Sequence, residues 1–353
     1  MKPPYAVPSM VDIAAIPWNG LSVISFFAGC GGSSLGYRMA GFRVQFANEF
    51  VPIAQDSYRA NMCEWTTLDC RDIRNIHIED IKADLRRKGI DELDILDGSP
   101  PCQAFSTAGS REKGWGKEKV YEHGAKQCNE NLFQEYIRIL RGLTPKVFVA
   151  ENVSGLVKGV AKGFFLDILR DLKQIGYRVE ARLLDAQWLG VPQQRQRVIF
   201  VGVREDLNIG PVFPQPFSYR YSISDACPWI MNARAGPTGF GAGQMSAYKP
   251  APTVPASLQA PYGQHQIETE TEKRKFTIAE LRRICGFPDD FVLKGTYAQQ
   301  WERLGNSVPP LMMRAIATAI YDGVFQKLAA RLPVVAARAS ASEGTEVLQL
   351  TVR

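Results

Sequence analysis

The sequence predicts an α/β chain: a doubly wound, mostly parallel sheet with a second, smaller, irregular or β-rich domain. Three observations lead there. Strand-like and helix-like segments alternate over the first two hundred residues, the first apolar run breaks into glycines just before a helical stretch, and the texture changes after Arg204. The first run is LSVISFF (21–27), followed by AGCGG and the helical SSLGYRMAG. A second short run at 44–47 stops at Asn48 and Glu49, and a helical stretch covers 51–61. Further strand candidates are 93–96, 147–150, 178–184 and 197–203, with helical stretches at 132–143 and 162–175. Residues 205–265 are rich in Pro, Gly, Ser, Gln and aromatics, without long helical periodicity. Helical pattern returns at 277–285 and 310–325, and from 329 the chain is Ala-rich and then polar, the composition of a loosely held tail.

Composition narrows the function classes. The 353 residues are 45% hydrophobic and 22% charged, the balance of a globular chain with room for a sizeable core. The longest apolar stretches are broken by Gly, Pro or charge, and the N-terminal MKPPYAVPSM lacks the apolar centre of a secretory signal, so cytoplasmic residence is expected. Seven cysteines (30, 63, 70, 102, 128, 227 and 285) contain no CxxC pair, and there are three histidines, so neither a metal nor a disulfide framework is expected. A net charge of +6 and a pI near 8.9 hint at a polyanionic partner, a weak signal alone.

The residues that carry chemistry sit at the ends of the expected strands. Gly29, Gly31 and Gly32 follow the first, where a tight turn lets backbone approach a ligand. Glu49 closes the second, a position from which an acid can hydrogen-bond a ribose hydroxyl. A plain turn with a surface acid, or a dehydrogenase, would read the same way. GSPPCQAFS (98–106) places Cys102 in the turn after an apolar strand, behind two prolines that fix the backbone. The other six cysteines read as small buried hydrophobes, whereas this position marks a candidate nucleophile. Lys113, Lys117, Lys119 and Lys126 sit among glycines in what reads as a mobile basic loop. VFVAENV (147–153) delivers Glu151 and Asn152 at a strand end, and PQQRQRVIFVG (192–202) sets Arg195 and Arg197 on one side of an extended segment. That pair is either a solvated basic edge or two guanidiniums aimed at a carbonyl or a carboxylate. GNSVPP (305–310) reads as a loop before a helix, with Pro309 and Pro310 suited to the helix start.

Together and in this order the motifs resemble those of the bacterial-type DNA cytosine-5 methyltransferases, over residues 21–325. The resemblance implies a Rossmann-like methyltransferase fold using S-adenosyl-L-methionine. It places Phe27, Gly29, Gly31 and Gly32 against that cofactor, Glu49 on its ribose, Phe50 on its adenine face, and Asp72 and Ile73 at the adenine edge. Pro100 and Leu132 join the cofactor contacts, and GNSVPP returns to the cofactor through Asn306 and Val308. RKFTIAELRRICGFPDDF (274–291) is similar to the helix that precedes this closing motif. Gln193, Arg195 and Arg197 resemble the family's arginine motif, and Glu151 and Asn152 its base-binding motif. The implied chemistry is attack of the Cys102 thiolate on carbon 6 of cytosine, which makes carbon 5 enamine-like. Glu151 hydrogen-bonds ring nitrogen 3 and the amine, Arg197 points at the ring carbonyl, and Arg195 holds Glu151. The base must leave the duplex, at a cost of roughly a few kcal/mol. The loop at 103–131 closes behind it, with Ser106, Lys113, Lys117 and Lys119 on the phosphates.

The resemblance also divides the chain: 1–204 catalytic and cofactor-binding, 205–272 a small target-recognition domain, 273–303 a hinge region, 304–328 the return to the catalytic domain, and 329–353 the tail. Arg234, Gln244 and Tyr248 would reach base edges, Thr253 the DNA backbone, and the site read would be short, about four or five base pairs. Phe213, Phe217 and Trp229 read as packing residues of the small domain. Duplex DNA is the implied partner of a monomer, in a restriction–modification system with a cognate endonuclease or as an orphan enzyme. Ser25 stands where many members carry Asp, Phe50 stands in place of Trp, and the variable region is short. Two other readings use the same scaffold: a tRNA cytosine-5 methyltransferase, whose members tend to carry Thr where this chain has Ser106, and a catalytically silent DNA-binding regulator.

Overall fold

The structure, a computed structural model, describes residues 2–101, 118–120, 126–128, 132–157, 161–230, 234–236, 245–256, 266–268 and 273–331. Along the chain the strands are β1 (Ser22–Phe26), β2 (Arg43–Asn48), β3 (Thr67–Asp69), β4 (Ile95–Gly98), β5 (Glu118–Val120), β6 (Lys126–Cys128), β7 (Val147–Val153), β8 (Tyr177–Asp185) and β9 (Gln196–Arg204). Seven of them form one sheet in the order β3-β2-β1-β4-β7-β9-β8. The run from β3 to β7 is parallel, and β9 lies antiparallel between β7 and β8. Every residue of SVISF in β1 is buried, the signature of a strand covered on both faces. Strand order reverses at β1, whose two neighbours leave in opposite directions, so a crevice opens beyond its carboxyl end.

Alternation along the strands feeds two cores. One face of the sheet carries Val23, Ile95, Val149 and Ile199, packed with Leu35 of α2 (Gly32–Met39) and Tyr58 of α3 (Pro52–Met62). The same core takes Ile13 of α1 (Met10–Ala15), a short helix opened by a Ser9–Asp12 capping box. The opposite face carries Ile24, Leu96, Phe148 and Phe200. These meet α4 (Ile78–Arg87), α5 (Leu132–Leu143) and α6 (Ala161–Lys173).

Beyond Arg204 the chain packs Ile209, Phe213, Ile223 and Ile230 into the first core, with α7 (Ile223–Ala226) among them. Four short strands, β10 (Arg234–Gly236), β11 (Met245–Ser246), β12 (Gln266–Glu268) and β13 (Lys273–Lys275), form an antiparallel sheet in the order β11-β10-β12-β13. Helices α8 (Ile278–Ile284), α9 (Tyr297–Asn306) and α10 (Pro310–Ile320) follow, and α10 returns to lie along α2. No helix among the described residues is long and apolar enough to cross a membrane.

Several expectations need correction. Strand β3 and helices α1, α4 and α9 are not anticipated by the sequence patterns; β3 is too short to show alternation, and α4 (IEDIKADLRR) hides a few apolar positions among charges. Helix α9 starts at a Thr296–Gln299 capping box and buries Trp301 and Leu304. Gly305 and Asn306 therefore end a helix, and the connector shrinks to Ser307, Val308 and Pro309. The expected tail is still helical through Arg331, whose Nη1 donates to the Leu207 carbonyl at 2.8 Å. The expected basic loop contains the antiparallel pair β5–β6. Of the three aromatics read as small-domain packing, Phe213 joins the main core, whereas Trp229 is 58% exposed and donates to Glu280 at 2.9 Å.

Candidate active site

At the end of β1 the backbone itself does the shaping. Phe27, Gly29 and Gly31 all take left-handed conformations (φ 55°, 58° and 100°), so the chain doubles back before α2 begins. A Cβ on Gly29 would meet nothing within 4 Å, which leaves this turn open on its outer side. Gly32 is closed: a Cβ there would stand 2.4 Å from the Val308 carbonyl. Glu49, buried at the end of β2, binds the turn with one oxygen and the next helix with the other. It accepts from Gly29 N at 2.7 Å and from Val51 N at 2.7 Å. Burial pushes its carboxyl up, while those N–H groups and the nearby Arg303 guanidinium pull it back.

The other candidate cofactor residues are grouped around this turn. Asp72 caps the short turn Ile73–Asn75, accepting from Arg74 N, and Ile73 is buried in the second core. Leu132 opens α5 and is fully buried, Phe27 packs partly buried on the same core, and Phe50 is half-buried beside Glu49. Asn306 is exposed at the end of α9, and Val308 is buried with its carbonyl against Gly32.

On the far side of β4 the site changes character. Asn152 of β7 donates to the Pro100 carbonyl at 3.1 Å and so ties the start of the GSPPCQAFS turn to β7. Glu151 is 9% exposed and pairs with Arg197, whose Nε lies 2.7 Å from its Oε1. The antiparallel register explains the meeting: Val153 faces Arg197 and Glu151 faces Ile199, which makes Glu151 and Arg197 diagonal neighbours on one face.

Arg195 does not hold Glu151. It lies ahead of β9, wholly buried, with Nη1 donating to Val254 O at 3.3 Å and Nη2 to Gly305 O at 2.8 Å. Burial, then the neighbouring Arg197, lowers its pKa to about 9. Gln193 braces the same segment, accepting from Val254 N at 3.2 Å. Arg195 thus links the arginine motif to GNSVPP and to the segment of Val254, and Arg197 takes the acid partner expected for Arg195.

Thr253 is exposed but spends its hydroxyl on Gln194 O at 2.6 Å. Tyr248 is 66% exposed, beside Lys249. Cys102, Ser106, Lys113, Lys117 and Gln244 lie outside the described residues, and Lys119 and Arg234 are described only as backbone in β5 and β10. Sequence reasoning missed Asp97, buried on β4, and Arg303, buried beside Glu49. Asp97 falls between the expected strand 93–96 and the GSPPCQAFS motif, and Arg303 ends the segment read as hinge.

The residues of the turn suit an adenosine cofactor with a charged tail. Its outer side is open, Glu49 keeps a buried carboxylate there, and the Nε of buried Arg303 has no hydrogen-bond partner among the described residues.

Comparison with known proteins converges on one family. The family model for C-5 cytosine-specific DNA methylase matches residues 21–232 and 234–322. A Type II methyltransferase of Haemophilus parahaemolyticus, M1.HphI, is 30% identical, covering 90% of this chain and 91% of its own. M.NgoPII, a Type II methyltransferase of Neisseria gonorrhoeae, is 30% identical, covering 88% of this chain and 98% of its own. Among solved structures, a prophage-encoded Escherichia coli protein assigned as a DNA modification methyltransferase superposes with a TM-score of 0.65 at 21% identity, over 86% of this chain and 99% of its own. DNMT2 of Spodoptera frugiperda superposes with a TM-score of 0.60 at 19% identity, over 84% and 98%. The two structures share the fold, a methyltransferase α/β sheet.

Proposed function

Because the chain belongs to the C-5 cytosine-specific DNA methylase family, we propose that it methylates carbon 5 of a flipped-out cytosine in duplex DNA, with Cys102 as nucleophile and S-adenosyl-L-methionine as methyl donor. The observation that carries this reading is the Glu151–Arg197 pair at the mouth formed by β7 and β9, with Asn152 clamping the turn that leads to Cys102.

Each group has a task. The Cys102 thiolate adds to carbon 6 and loads electron density onto carbon 5. Glu151 hydrogen-bonds ring nitrogen 3 and the exocyclic amine, sharing a proton as negative charge develops on the ring. Arg197 spends Nε on Glu151 and Nη1 on the Gln196 carbonyl at 2.8 Å, which leaves Nη2 to face the ring carbonyl. Arg195 acts at one remove, holding the segments of Val254 and Gly305 against the arginine motif. In the cofactor half, the Gly29–Gly32 turn, Glu49, Phe50, Asp72 and Val308 would hold S-adenosyl-L-methionine, which when bound supplies an electrophilic methyl group. Water or hydroxide takes the carbon 5 proton, and the electron pair it leaves expels the Cys102 thiolate and restores the aromatic ring.

DNA would be gripped by Ser106, Lys113, Lys117 and Lys119 on one side and read by Arg234, Gln244 and Tyr248 on the other. The relatives' designation as Type II methyltransferases favours a restriction–modification setting with duplex DNA as substrate. A duplex carrying 5-fluorocytosine tests the chemistry, since fluorine cannot leave as a proton does. The expected result is a covalent protein–DNA adduct that requires S-adenosyl-L-methionine and disappears in Cys102→Ala. An adduct that survives this substitution would assign the nucleophile elsewhere, and adducts formed on tRNA alone would move the substrate class.

A further inference from the structure

Asp97 is a carboxylate that the chemistry above leaves unused. It sits on β4, 1% exposed, on the strand that runs into the nucleophile turn. Its register neighbour on β1 is Ser25, which donates to Oδ2 at 2.8 Å. Ser33, in the first turn of α2, donates to the same oxygen at 2.7 Å, and Tyr37 reaches Oδ1 at 3.5 Å. Ser25 lies just before the glycine turn and Ser33 just after it, so one carboxylate holds both ends of the loop.

Among the described residues no arginine or lysine pairs with Asp97; Glu49 has Arg303 close by and Glu151 has Arg197. The groups facing it are the hydroxyls of Ser25 on β1 and of Ser33 and Tyr37 on α2, Tyr58 on α3, and Glu151 on β7, an acid that adds repulsion, with Tyr136 of α5 across the sheet. Burial, opposed by the serine hydroxyls, pushes the Asp97 carboxyl up to about 7. A buried anion without a cation is costly, and a cation arriving in the adjacent crevice would offset that cost.

We infer that Asp97 is a positioning residue that senses charge: anchored to both ends of the glycine turn, it favours a cofactor carrying a sulfonium over the same molecule carrying a neutral thioether. The inference rests on the turn being the cofactor site. A sulfonium held there stabilises ionised Asp97, so its binding expels a proton to solvent at pH values below the carboxyl's own pKa. The thioether product lacks that charge and expels none from this group. Tighter hold on the substrate than on the spent product is the functional consequence.

Calorimetric titration of the full chain with S-adenosylmethionine and with S-adenosylhomocysteine, at pH 5.5 and 8.5 and in two buffers of different ionisation heat, tests this directly. The protein should prefer the sulfonium by a ratio that grows about tenfold from low to high pH, with extra proton release at pH 5.5 for the sulfonium alone. Asp97→Asn should bind both ligands with a ratio independent of pH. Moving the acid across the register pair, with Ser25→Asp in an Asp97→Ser background, should restore the pH-dependent preference. A ratio that still follows pH in Asp97→Asn, or equal losses for both ligands with the ratio unchanged, would overturn the inference. Failure of the unsubstituted protein to bind either ligand would instead sink the cofactor reading beneath it.

Discussion

The two halves of the crevice are built from different materials. At the β1–β2 end the shape comes from backbone: left-handed residues, N–H groups closing on Glu49, and a glycine pressed against Val308. At the β7–β9 end it comes from side chains: a carboxylate and a guanidinium set together by strand register, and an amide and a second guanidinium fixed on backbone carbonyls. The difference teaches where each half is vulnerable. A backbone cradle fails when an atom is added and tolerates changes of charge at its rim. A side-chain constellation fails when one functional group is exchanged, even with the volume unchanged.

The largest expected effect breaks the side-chain half alone. Glu151→Gln keeps size and position but cannot share a proton with the base, and turnover should fall on the order of a thousandfold, about 4 kcal/mol in the barrier. Cofactor affinity, measured by titration without DNA, should stay within about twofold. A parallel loss of affinity would show that the halves are not separable.

The complementary break is smaller. Gly32→Ala adds one methyl at a position with 2.4 Å to the Val308 carbonyl, so either α2 or the connector before α10 must shift. A cost of about 1–3 kcal/mol in unfolding free energy is expected, with weakened cofactor binding. Gly29→Ala sharpens the point. Its new methyl has open space around it, and the expected penalty of about 1–2 kcal/mol comes from the left-handed backbone alone. If Gly32→Ala were neutral in a denaturant titration, the cradle would be softer than its contacts imply.

The smallest effect lies outside both halves. Replacing Lys113, Lys117 and Lys119 together should flatten the dependence of DNA affinity on salt, by up to about 0.9 in logarithmic slope for each phosphate that is no longer neutralised. Filter binding over a salt series measures it. An unchanged slope would place the phosphate grip on other residues.

Much of the fold was legible in the sequence. Apolar runs located β1, β2, β7, β8 and β9 to within a few residues, and α5 was read with the bounds it has, because buried strands and amphipathic helices write their burial into sequence. The glycine turn and Glu49 were legible for a similar reason: only certain residue types tolerate the conformation or the position. Partnership was less legible. Two arginines two apart lie on one side of an extended chain, but which of them meets Glu151 depends on the β7–β9 register, a long-range property. Arg197 falls inside β9 and reaches the acid, whereas Arg195 falls short of the strand and turns inward. Asp97 escaped notice because the strand was expected to stop at residue 96. A lone acid at a strand end says nothing about the two serines that will fold onto it.

The contact between Gly32 and Val308 has a consequence in time. The two residues are far apart in the chain, and the cradle beside Gly32 has no wall until Val308 has been made. With ribosomal synthesis on the order of ten residues per second, roughly half a minute separates the glycine turn from the residue that completes it. During that interval the nascent chain carries its glycine turn but lacks the closing wall. The order of synthesis therefore withholds the finished pocket until nearly the whole catalytic fold has emerged.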